Sequence, residues 1–96
     1  MKYTQTTLNK IESLIEEAGY IVRYERGSFQ SGFCILEDRK VVVLNKFLQL
    51  EGRINTLIDL VPHLKIAVET LTPESQKWFA DIMGRFHAAN NEEEQS

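Results

Sequence analysis

An α+β domain is the fold class this sequence predicts, and three observations predict it. Helical apolar spacing fills Thr7 to Ala18, a second and a third helical pattern follow Asn45, and Tyr20 to Leu44 between them holds three short strand-like segments. The expected order is an N-terminal helix, a three-stranded antiparallel meander, then two helices. Ninety-six residues with 43% apolar content suit one globular unit with a hydrophobic core. Residues 1–88 are expected to form that domain and 89–96 a flexible acidic tail.

In the first helix Leu8, Ile11, Leu14, Ile15 and Ala18 recur at three- and four-residue intervals, and Lys10, Glu12, Glu16 and Glu17 take the remaining arc. That is a helix docked along one stripe. Thr4, Thr6 or Thr7 supplies the cap, and Gly19 suits the exit.

Tyr20 to Arg26 alternates, with Val22 and Tyr24 on one side and Ile21, Arg23 and Glu25 on the other. Gly27 and Ser28 read as a turn into Ser31–Glu37, and the polar run Glu37, Asp38, Arg39 connects to Lys40–Leu44. Linking neighbours in order gives the meander. Phe33 and Ile35 face opposite to Cys34 and Leu36, and Val41 and Val43 opposite to Val42 and Leu44. Neither face of the last two strands therefore has a polar set, and both need covering.

After Asn45 a helix begins between Lys46 and Glu51, carries Leu50, Ile54, Leu57, Ile58 and Val61 on one side, and ends or bends at Pro62. His63 to Glu69 reads equally as a short edge strand near 64–69 or as helical continuation. Thr72-Pro73-Glu74 is a strong helix start, and Trp78, Phe79, Ile82, Met83 and Phe86 give that helix its buried side.

Composition excludes several functions. A formal charge of -3 offers no strong steering toward a polyanion, and no window reaches the ~18 consecutive apolar residues of a membrane helix. A single cysteine, Cys34, rules out an internal disulfide and, with no leader-like segment, predicts a cytoplasmic setting. Cys34 with His63 or His87 lacks anything that would fix a nucleophile and base together. Neither cofactor nor metal site is predicted.

The leading expectation is a non-enzymatic homodimer or protein-interaction module binding through its sheet, with Cys34, Leu36, Val42 and Leu44 nearest the contact. The alternative is an anionic ligand or single-stranded nucleic acid held by Arg23, Arg26, Asn45, Lys46 and Arg53, with Tyr20, Tyr24, Phe29 and Phe33 as stacking surfaces. Between Tyr20 and Arg53 there are six basic and four acidic residues, a surplus too small to favour nucleic acid.

Two resemblances accompany these readings. The run Val-Arg-Tyr-Glu-Arg-Gly-Ser-Phe, then Ser-Gly-Phe-Cys and Asn-Lys-Phe, resembles small bacterial proteins of unknown function. The order of a hydrophobic strand ending in Asn45, then Arg53, Thr56, Leu57 and His63, is similar to the segment leading into the zinc helix of small bacterial zincin-type metallopeptidases. That family carries His-Glu-x-x-His, two histidines holding zinc and a glutamate activating water. Asp59, Leu60 and His63 take those three positions here, and since Leu60 has no basic group the resemblance implies a degenerate hydrolase-like domain.

Overall fold

The computed structural model describes residues 2–26 and 33–95, with side chains described as far as Arg85. Helix α1 spans Gln5–Glu17. Thr4 caps it, its hydroxyl oxygen accepting from the Thr7 amide at 3.2 Å. At the other end the Gly19 amide donates to Glu16 O and the Tyr20 amide to Ile15 O, with Gly19 at φ +96°. Glycine adopts that backbone without a Cβ clash, so the helix stops there and the chain turns into the sheet.

Three strands follow: β1 (Ile21–Glu25), β2 (Phe33–Leu36) and β3 (Val41–Asn45). Their spatial order is β1-β3-β2, with β1 parallel and β2 antiparallel to β3. The expected meander is thus corrected to a mixed sheet in which β3 lies between the other two. Burial explains the exchange. Val41 to Leu44 has no polar residue and all four of its side chains are buried, and a central strand, with neighbours on both edges, shelters such a run best. Arg23 and Glu25 suit β1 to an edge. The Gly27–Ser28 turn and the start of the second segment at Ser31 lie outside the described residues.

Between β2 and β3 the polar run Glu37–Arg39 forms a 3-10 turn, as a short connection was expected there. It closes on Lys40, whose φ of 52° is left-handed. The Tyr20 side chain pins this corner to a distant one. Its buried hydroxyl donates to Glu37 Oε2 at 3.1 Å and accepts from the Lys65 amide at 3.0 Å.

Helix α2 covers Leu50–Leu60, and Pro62 falls within a 3-10 turn at Val61–His63. No fourth strand forms at 64–69 among the described residues, and the helix does not continue there; the segment is irregular until a 3-10 turn at Val68–Thr70. Leu64 is buried and Ile66 half-buried against the core, so their alternation serves packing without strand pairing.

Helix α3 runs Pro73–Gln95. Thr72 caps it, accepting from the Ser75 amide at 3.3 Å, as the Thr-Pro-Glu start predicts. Its helical backbone extends past residue 88.

The layers follow from the register. Val22, Val42 and Ile35 are cross-strand neighbours on one face, as are Tyr24, Leu44 and Phe33. All six belong to the core that also takes Leu8, Ile11, Leu14 and Ile15 of α1, Ile54, Leu57 and Leu60 of α2, and Ile82 of α3. The three helices therefore lie on the same side of the sheet, α1 against β1 and both α2 and α3 packed on α1.

Candidate functional site

The opposite face carries Ile21, Arg23 and Glu25 of β1, Val41, Val43 and Asn45 of β3, and Cys34 and Leu36 of β2. None of these joins the helical core. Val41 lies in register between Ile21 and Leu36, and Val43 between Arg23 and Cys34. The two valines are themselves only 7% and 6% exposed. Ile21 and Leu36 stand at the rim, 56% and 43% exposed. Arg23 and Glu25, alternate residues on one edge, form an ion pair at 2.7 Å.

The structure divides the residues expected at the contact. Cys34 and Leu36 lie on this outer face. Val42 and Leu44 are fully buried under the helices, so they support the fold and have no surface to offer. Parity along a single strand could not distinguish the two arrangements, because Leu36 pairs with Val41 and this register places Cys34 and Leu36 beside the odd-numbered valines. Ile21, Val41 and Val43 were missed for the same reason.

The second candidate group converges only in part. Arg23 belongs to the outer face and is engaged with Glu25. The other four cluster where β3 enters α2. Asn45 Oδ1 accepts from the Phe47 amide at 3.0 Å, and its carbonyl accepts from the Leu48 amide at 3.1 Å, so Asn45 shapes the turn. The Lys46 amide donates to Glu25 O at 3.0 Å, extending the parallel ladder by one bond.

Arg53 reaches back from α2. Its Nε donates to Leu48 O at 2.9 Å, its Nη2 to Lys46 O at 3.1 Å, and its guanidinium lies 4.6 Å from the centre of the Tyr24 ring. A planar fork spanning two carbonyls and an aromatic face is what arginine does well, and here it closes the β3–α2 turn. Tyr24 donates its hydroxyl to Glu12 Oε2. Burial first, and then that carboxylate, push the Tyr24 hydroxyl above the ordinary phenol range.

Held on this turn, the Phe47 ring is 65% exposed. Arg26 lies 5.6 Å and Lys46 5.5 Å from its centroid. Phe47 was not singled out in the sequence because it belongs to neither the strand nor the helical stripe. Its position between the end of one and the start of the other was the available signal. Of the expected stacking residues, Tyr20 is buried, Tyr24 lies under Arg53, Phe33 packs against the core, and Phe29 lies outside the described residues.

No protein-family model, curated protein or solved structure matches this chain. The positions aligned with a zinc helix are placed as follows. Asp59 is exposed on α2, Leu60 is fully buried in the core, and His63 is exposed in the 3-10 turn after the helix. Among the described residues no three His, Cys, Asp or Glu side chains gather as a metal site. No helix among them is long and apolar enough to cross a membrane.

Proposed function

We propose that this protein is a small non-enzymatic interaction module that forms a homodimer through the outer face of its sheet. The observation that carries this reading is the placement of all three helices on one side of the sheet. An apolar row, Ile21–Val41–Leu36 with Cys34 and Val43 beside it, is left on the other. Burying apolar surface contributes about 25 cal/mol per Å², a useful gain for a domain of this size.

Exposed apolar area on this face is limited to its rim, so a stable contact of ~800 Å² per partner must also take in polar neighbours. Arg23 and Glu25 fit that need. They are opposite charges on one strand, and a two-fold axis through the sheet brings Arg23 of one copy toward Glu25 of another, which is self-complementary.

Mass in solution tests the reading. Light scattering behind size exclusion, over a hundredfold concentration range, is expected to show a dimer at the upper end. Labelling of the Cys34 thiol is expected to slow as concentration rises. Monomer mass throughout, with labelling independent of concentration, refutes the proposal.

A further inference from the structure

Three cations, Arg26, Lys46 and Arg53, meet around the β3–α2 turn of a chain whose overall charge is negative. Among the described residues none of them has a carboxylate in salt-bridge contact, and the adjacent carboxylate, Glu25, is taken by Arg23. Arg53 spends its donors on two carbonyls, leaving Arg26 and Lys46 with outward charge. Both are exposed, and both lie against one ring, Phe47, which is itself mostly exposed.

The turn that displays this ring is tied at successive residues. Lys46 bonds through its amide and its carbonyl, Phe47 through its amide, and Leu48 through its amide and its carbonyl. A phenylalanine left mostly in water forgoes the burial of most of its apolar surface. A well-bonded turn thus holds it out beside two cations that have no salt-bridge partner among the described residues. Cations and an aromatic face on a preset backbone match a ligand with a phosphate and a planar ring.

We propose that Arg26, Lys46 and Phe47 bind a nucleotide unit, the base stacking on Phe47 and the phosphate held by the two cations, with single-stranded nucleic acid as the occupant. Arg53 is a positioning residue here, since it acts through the turn. Two cations contact at most two phosphates, so the affinity is weak at physiological salt and its salt dependence shallow.

The test is fluorescence anisotropy with a labelled oligothymidylate of about ten nucleotides, starting near ~50 mM salt. Saturable binding is expected, with a logarithmic salt slope of roughly −1.4, as two single-strand phosphate contacts imply. Phe47→Ala is expected to weaken binding about 5- to 150-fold. The double variant Arg26→Gln, Lys46→Gln is expected to flatten the slope. All three side chains are exposed, so circular dichroism of each variant should match the parent.

Competition separates the sources of this chemistry. Thymidine monophosphate competing at its own concentration as well as the oligomer assigns the site to free nucleotides, and a strong preference for the oligomer assigns it to strands. Inorganic phosphate competing as well as either removes the stacking half and overturns the proposal. So does the absence of saturable binding, or binding that is unchanged in the Phe47→Ala protein.

Discussion

The Arg53 guanidinium lies 4.6 Å from the centre of the Tyr24 ring, joining the second helix to the edge strand β1 across the end of the sheet. The same group holds two carbonyls of the intervening turn, so one side chain organises strand end, turn and helix start. Its loss is a loss of shape before it is a loss of charge. Replacing Arg53 with Lys keeps the charge and removes the fork, so it is expected to cost about 1–3 kcal/mol in urea unfolding, close to the cost of Arg53→Ala. A lysine variant as stable as the parent means that the charge over the ring suffices.

The two sheet faces give a paired prediction. Leu36→Asp puts a charge at an exposed rim, so the monomer is expected to keep its stability within about 0.5 kcal/mol while dimer formation is lost. Val42→Asp buries an unpaired carboxylate in the helical core and is expected to unfold the protein. Chemical denaturation at several protein concentrations distinguishes them. Equal global unfolding in both variants would mean that Leu36 is covered within the same chain.

How much of this was legible in the sequence differs by element. The Gly19 exit of α1 and the Thr72-Pro73 start of α3 are local devices and stand where the residues place them, while the sequence leaves the cap of α1 open among Thr4, Thr6 and Thr7 and the structure uses Thr4. Pairing between strands depends on chain contacts far apart in sequence, so nearest-neighbour linking produced a meander. A cue was present nonetheless. Arg23 and Glu25 mark β1 as an edge, whereas Phe33–Leu36 is as free of polar residues as Val41–Leu44, and only the burial of all four residues of Val41–Leu44 identifies β3 as central. Lys46 and Arg53 are near in the chain, but their convergence with Arg26, just past the end of β1, was not legible, and neither was their division of labour. Only the carbonyls that Arg53 reaches reveal it as a structural residue.

Glu17 supplies an acid-sensitive tie between the first and third helices. Its carboxylate accepts from the Thr72 amide and from the Ser75 hydroxyl, both at 2.8 Å, at the N-terminus of α3. The Thr72 amide bond is the main reason its acidity is shifted below the usual carboxylate range, and burial opposes it. A carboxylate depressed in the folded state contributes stability above its unfolded value of about 4.3 and loses it as pH falls through the folded value. Glu17→Gln is therefore expected to cost about 0.3–1 kcal/mol near pH 7. The gap to the parent should close as the pH drops below about 4, read from urea midpoints across that range. A gap that stays constant down to strong acid would assign the effect to shape alone.

Tyr24 makes the opposite prediction at alkaline pH. Its half-buried hydroxyl donates to Glu12, and burial and that carboxylate hold its ionisation above the phenol range. The folded state thus favours the protonated phenol. Stability from this group is complete below the unfolded value of about 10 and declines as pH rises toward the folded value. Tyr24→Phe keeps the ring under Arg53 and removes the titrating group, so it is expected to cost about 1 kcal/mol at neutral pH, from the lost bond to Glu12. Above pH ~10 the parent should lose stability faster than the variant, and the two urea midpoints should converge. Tyr20, also raised by burial, is present in both proteins and leaves the comparison intact. Parallel midpoints across the alkaline range would show that the Tyr24 hydroxyl is as free to ionise in the folded protein as in the unfolded chain.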